Sequence, residues 1–283
     1  MITPQDEKLI LARAYVPEHI VSLMVSISRG EPFLIEDYLI LTKDNWLILV
    51  GYPLDGHFIR ERCEKIVGQT VERFRPEYLW FIGPEIPASL SDGCQERESD
   101  QYYRLDLKQS KPKSSLLRVA VKTSREVTIE KSHSFSKDHR NLVVELLERE
   151  PLPPRIKELY RAMPDYVVHS SNSCVLNAWT TKGELSAFYV LDLSADQFTT
   201  YLLGTHSKKH YVSHASDLLF LEMIRMTEQQ GKTIVHLGLG VNEGIRRFKE
   251  KWGGVPYLNY EFCEVSSKSA PAVSLVQTLL DRL

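Results

Sequence analysis

One order of elements occurs twice in this 283-residue chain, and it restricts the fold more than any single motif. Each half reads as a hairpin, a strand ending in glycine, a loop with a histidine, a long helix, and an apolar strand that again ends in glycine. The markers are Gly51, His57 and Gly83 in the first half, and Gly204, His214 and Gly238 in the second. The two sequences are not alike, so the repetition is of architecture alone. Strands alternating with helices, taken twice, predict two α+β units in tandem, residues 1–134 and 135–283.

The periodicities behind that reading are local. Runs 38–42 and 46–52 alternate as strands around "KDN", a hairpin turn. Ile59, Cys63, Ile66, Val67, Val71 and Phe74 recur at helical spacing, and 78–82 is a short apolar strand. "ASLSDGCQERESDQ" reads as loop, "KQSKPKSS" as a basic connection, and 116–121 and 127–131 as strands. In the second half, helices are predicted over 137–150, 156–163 and 217–230, with Gly231 placed to end the last. Around them fall a hairpin from 173 to 194 and strands at 198–203 and 233–237.

Composition excludes some classes. A formal net charge of -2 gives no general attraction to nucleic acid, so any anion site must come from local clustering. No apolar run approaches a bilayer span, and "MITPQDEKLI" lacks the apolar core of a secretory signal. Cys63, Cys94, Cys174 and Cys263 form no C-x-x-C pair, which points away from a disulfide framework or cysteine zinc site and toward a reducing, cytoplasmic setting.

The stretch "VHLGLGVNEGIRRFKEKWGGVP", 235–256, carries the chemistry. Its glycines approach a dinucleotide fingerprint, but a Rossmann unit needs a long helix, a further parallel strand and an acid about twenty residues on. Here the helix reaches Gly253-Gly254 after about two turns, with too little chain left for the missing strands. Ile245, Phe248 and Trp252 share one apolar face, Arg246 and Lys249 a second, and Arg247 and Lys251 a third. Lys249 follows an aromatic anchor and precedes a glycine-opened backbone, a setting in which an ammonium group holds a phosphate or a developing oxyanion.

That segment resembles the closing motif of acyltransferases of the GCN5-related N-acyltransferase superfamily. It is most similar to their FemAB-like branch and to the catalytic domain of phosphatidylglycerol lysyltransferases. The matching positions are Gly238, Gly244, Phe248, Lys249 and Gly253, then a strand from 255 to 262. The upstream "HASDLLFLEMIRMTEQQGKTIVHLG" is similar too. The resemblance implies an α+β fold of tandem acyl-CoA N-acyltransferase-like domains, each a mixed central sheet flanked by helices, the first degenerate. It implies acyl or aminoacyl transfer from acyl-CoA or aminoacyl-tRNA to a small-molecule or peptide amine, with tRNA as a possible partner and no metal. Lys249 is then the first catalytic candidate. Gly204, Lys208, Lys209, Gly238, Gly240, Arg246 and Phe248 are the candidates for holding the donor.

The chain departs from the superfamily at one loop. Where acetyl-CoA enzymes carry a Gln/Arg-x-x-Gly-x-Gly/Ala turn, this sequence has "GTHSKKHYVSHASD", with lysines in place of glycines. A non-catalytic binding module on a degenerate acyltransferase fold is therefore the rival reading. His206, His210 and His214 fall at i, i+4 and i+8, a metal-like spacing only on a helix, and this segment reads as loop. His210 or His214 is a candidate general base and Tyr211 a candidate general acid. Asp217 reads as a helix-dipole partner. Arg60 and Arg62, near His57, read as a solvated helix face or a degenerate donor-binding helix start.

Overall fold

The computed structural model describes residues 1–152 and 154–266. They form two compact units. The first comprises 1–102, 239–241 and the described chain from 256; the second comprises 103–238 and 242–255. The division thus falls at Tyr102/Tyr103 and not near Phe135, and the C-terminal strand returns to the first unit.

The first unit contains α1 (Pro4–Arg13), α2 (Val21–Ser28), β1 (Glu31–Ile35), β2 (Tyr38–Lys43), β3 (Trp46–Val50), α3 (Arg60–Phe74), β4 (Tyr78–Gly83), α4 (Ala88–Ser91) and most of β5 (Cys94–Asp106). The "KDN" turn joins β2 and β3 as antiparallel partners, with Asp44 at φ 52°. β3 and β4 run parallel and stay paired from Trp46↔Tyr78 to Val50↔Ile82. Beyond that register the Gly51 amide still donates to the Ile82 carbonyl at 2.6 Å. The ring of Phe81 fills the space beside both glycines: a Cβ on Gly51 would lie 2.3 Å from it, and one on Gly83 2.6 Å. The start of α3 is equally occupied. Arg60 is exposed there, while Arg62 is partly covered and donates to Asp37, Asp55 and Glu36 at 2.6, 2.5 and 3.3 Å.

The second unit begins with the end of β5 and continues through α5 (Ser114–Thr123), β6 (Val127–Ser132), α6 (Lys137–Arg149), α7 (Pro154–His169), β7 (Ser173–Thr180), β8 (Leu185–Asp192), β9 (Phe198–His206), α8 (Ala215–Gln229), β10 (Ile234–Leu239, its last residue in the first unit) and α9 (Glu243–Lys251). From there β11 (Val255–Ser266) leads back to the first unit, where it pairs antiparallel with β4. β6, β7, β8 and β9 are antiparallel neighbours, and β10 lies parallel to β9. Its core joins Leu105, Leu191, Leu219, Phe220, Leu237 and Trp252.

Three segments depart from the sequence reading. The polar stretch 94–101 is strand, with burial alternating residue by residue as a half-covered strand requires. Residues 116–121 lie inside helix α5, because Leu116, Leu117 and Ala120 fit a helical stripe against the core. Cys94 and Cys263, 169 residues apart in sequence, are joined across β5 and β11 with Cα atoms 5.6 Å apart, while Cys63 and Cys174 are free and buried. One tertiary pair is not a framework, and nothing in the spacing announces it. No helix among the described residues is long and apolar enough to cross a membrane.

Candidate active site

The two halves differ where their parallel strands meet. β9 and β10 pair only through Phe198↔Ile234, Thr199↔Val235 and Thr200↔His236. The next residue of β9 to face β8 is Tyr201, opposite Leu191, but then Val190 pairs with Leu203, so Leu202 is an extra residue. Such a bulge bends its strand locally, and pairing with β8 resumes beyond it as far as Ala187↔His206. Gly238 answers from β10 with φ +70°, a conformation suited to glycine. The edge of β9 beyond Thr200 therefore lacks the register that keeps β3 against β4, and an extended ligand can add to such an edge.

α9 supplies the predicted lysine. Asn242 caps the helix by accepting from the Ile245 amide at 2.9 Å. Phe248 meets Phe220 edge-on at 5.6 Å, and Trp252 stacks on the same ring at 4.9 Å. These contacts turn Lys249 inward; it is 4% exposed, with Nζ 5.7 Å from the Tyr103 ring centroid. A lysine is rarely so buried, and an aromatic face supplies part of what water would have given. Gly254 permits this approach, since a Cβ there would lie 2.6 Å from Leu237 and 2.9 Å from the Lys249 carbonyl.

His236 is a member that the sequence reading missed. It is buried on β10, and its Nδ1 accepts from the Gly238 amide at 3.1 Å. The neutral ring thus carries its proton on Nε2. Burial, and then the charge of Lys249, push its pKa down to about 3. Its only sequence signal is an imidazole inside an apolar strand, which usually means packing.

The loop candidates do not form one cluster. His210 Nδ1 lies 3.2 Å from a Glu184 oxygen. The His206 ring sits 5.6 Å from Tyr211, which is 59% exposed. His214 caps α8 in the left-handed conformation, φ 66°, and its Nδ1 lies 2.8 Å from Asp217 Oδ2. Asp217 is more than a dipole partner. It also accepts from Lys251 Nζ at 2.7 and 2.8 Å and from Trp252 Nε1 at 2.9 Å. Burial alone raises its carboxyl, but Lys251, His214 and Trp252 hold it below the usual range. Lys208, Lys209 and Arg246 are exposed. Gly204 is covered by Tyr189, and its carbonyl accepts from Tyr160 at 2.9 Å. Gly240 is buried and donates to the Gln101 carbonyl. Among the described residues no group of three or more His, Cys, Asp or Glu is placed to hold a metal.

Two mixed units, the second with parallel strands parting at a bulge, define the tandem GCN5-related N-acyltransferase fold. Solved structures agree. The structure of L-PGS from Bacillus licheniformis is similar over 99% of this chain and 96% of that one, with 16% identity and a TM-score of 0.58. FemX matches over 92% and 96%, at 11% identity and TM-score 0.61. A tandem GNAT protein from the clavulanic acid biosynthesis pathway matches over 94% and 95%, at 12% and 0.55. No family model and no curated protein matches the sequence.

Proposed function

We propose that the second unit transfers an acyl or aminoacyl group from a thioester or ester donor to an amine. The observation that carries this reading is the parting of β9 and β10 at Leu202, with Lys249 buried on the adjoining helix. The donor lies along the opened edge of β9. The Lys249 ammonium faces its carbonyl and stabilises the oxyanion that forms on attack, where low dielectric strengthens the interaction. Holding amine and carbonyl in one orientation supplies much of the rate. The first unit, its strands zipped and Arg62 neutralised by three acids, serves as a scaffold.

An aminoacyl-tRNA donor suits this surface better than acetyl-CoA. Residues 107–125 carry six basic and no acidic side chains. Lys108, Lys111, Lys113, Arg118, Lys122 and Arg125 are all exposed. The end of this run joins the loop that carries Lys208 and Lys209, through Thr123 Oγ1 donating to the Ser213 carbonyl at 3.3 Å. A run of exposed cations without acids suits a phosphate backbone. Such donors place the reaction in the cytoplasm. The acceptor is a small-molecule or peptide amine.

The glycine-poor loop 207–214 favours the rival, a binding module without catalysis. Thermal unfolding with acetyl-CoA and with charged tRNA tests both, because a ligand specific to the native state raises the midpoint. A rise with charged tRNA and enzyme-dependent loss of its aminoacyl group is expected. No rise with either donor overturns the reading. A rise without turnover leaves the binding module.

A further inference from the structure

We infer that Asp217 is a positioning residue that fixes the His214 ring so that Nε2 faces outward as the base for the acceptor amine; this rests on the acyl-transfer reading above. Two independent features meet at His214. Its backbone sits at φ 66°, a conformation that side chains other than glycine and asparagine adopt at a cost. Its Nδ1 is 2.8 Å from the buried carboxylate of Asp217, which accepts that proton. With Nδ1–H committed, the neutral ring carries its lone pair on Nε2, and the side chain is 44% exposed. The loop's other basic candidate, His210, pairs with Glu184, whose carboxylate is itself 39% exposed and can be displaced by water.

Asp217 also reaches the lysine helix. Its oxygens hold Lys251 and Trp252, which follow Lys249 by one turn or less, so one carboxylate fixes the ring at the head of α8 and the end of α9. The charged and titratable groups around the pair are Lys251 from α9 and the Tyr189 hydroxyl from β8, which donates to the Ser216 carbonyl. Lys251 offsets the carboxylate charge and Trp252 satisfies a further lone pair, so Asp217 stays ionised while the ring changes state. In the step itself the amine's proton passes to Nε2 as its nitrogen bonds to the donor carbonyl. The C–S or C–O bond then breaks, and the proton goes to the leaving thiol or ribose hydroxyl.

Diethyl pyrocarbonate tests the orientation without any substrate. The Nε2 lone pair attacks an anhydride carbonyl, the ring keeps the carbethoxyl group, and ethyl carbonate leaves. Peptide mass spectrometry reads the rate at His214 against exposed His133. In Asp217→Asn the carboxamide no longer dictates the tautomer, and we expect the His214 rate to fall several-fold while His133 is unchanged. Turnover of charged tRNA falls at least tenfold in kcat with KM unchanged, and Asp217→Glu recovers part of both. An unchanged carbethoxylation rate, or a lowered one with unchanged turnover, overturns the proposal. If the wild type turns over no donor, the acyl-transfer reading fails while the carbethoxylation rates still decide the role of Asp217. Should Asp217→Asn unfold, His214→Asn, compatible with the left-handed backbone, must show the same loss of kcat at an unchanged melting temperature; unimpaired turnover overturns the assignment.

Discussion

Lys249 holds its ammonium 5.7 Å from the centroid of the Tyr103 ring, and it does so almost without contact with solvent. An ammonium held in so dry a place acts strongly on negative charge that develops on a bound carbonyl. We expect Lys249→Met, which keeps the stem and removes the charge, to lower kcat by roughly 10²–10³-fold, as loss of an oxyanion donor does. Single-turnover rates with charged tRNA check this. A rate equal to wild type would remove Lys249 from the reaction.

The closed half makes a stability prediction. A Cβ on Gly51 lies 2.3 Å from the Phe81 ring, so Gly51→Ala forces that ring out of a packed core. The expected cost is about 1–3 kcal/mol. Phe81→Ala leaves a cavity instead and costs about 3–5 kcal/mol. Urea denaturation of the two variants measures both.

Acid sensitivity follows in part from buried histidines, His19, His236 and His139, the last also lowered by burial. His19 is pushed down to about 4 by burial, against a hydrogen bond between its Nε2 and the Tyr52 carbonyl; His236 is pushed down to about 3. Below the ordinary histidine value of about 6.5 the unfolded chain binds protons that the folded chain refuses. Stability therefore is full above that value and falls as pH drops toward 4 and 3. The slope is about 1.4 kcal/mol per pH unit for each histidine. His236→Gln should lower the slope between pH 6 and 5 by about 1 kcal/mol per pH unit, measured by urea denaturation.

The basic run predicts a salt signature. Replacing Arg118 and Lys122 together with Ala removes two phosphate contacts. The slope of log affinity for tRNA against log salt should shrink by about 1.5–2. Filter binding across a salt series reads it, and an unchanged slope places the RNA elsewhere.

Much of this was legible in the chain itself. The hairpin at Asp44, the helix bearing Cys63 and Ile66, and the apolar strand at Val235 announce themselves through period and turn chemistry. So does the Phe248-Lys249 pair, because its aromatic stripe fixes which way the lysine turns. The extra residue at Leu202 does not, since an apolar run gives no sign of which partner it skips. Asp217 was equally hidden: an acid in a first helical turn looks the same whether it faces water or collects donors from a helix thirty-five residues on. Helix α5 reads as a strand because β-branched Val119 and Val121 alternate like one while burial along 116–121 follows the helix.

The bulge at Leu202 has one more implication. What sets where β9 stops running in step with its neighbours is a count of residues in a strand, before any side chain is chosen. Deleting Leu202 would make Leu203 the direct successor of Tyr201 in the ladder with β8 and let β9 run on beside β10, as β3 runs beside β4. The proposed donor edge would then become ordinary sheet, with every proposed reactive group still present and nothing left for it to act upon.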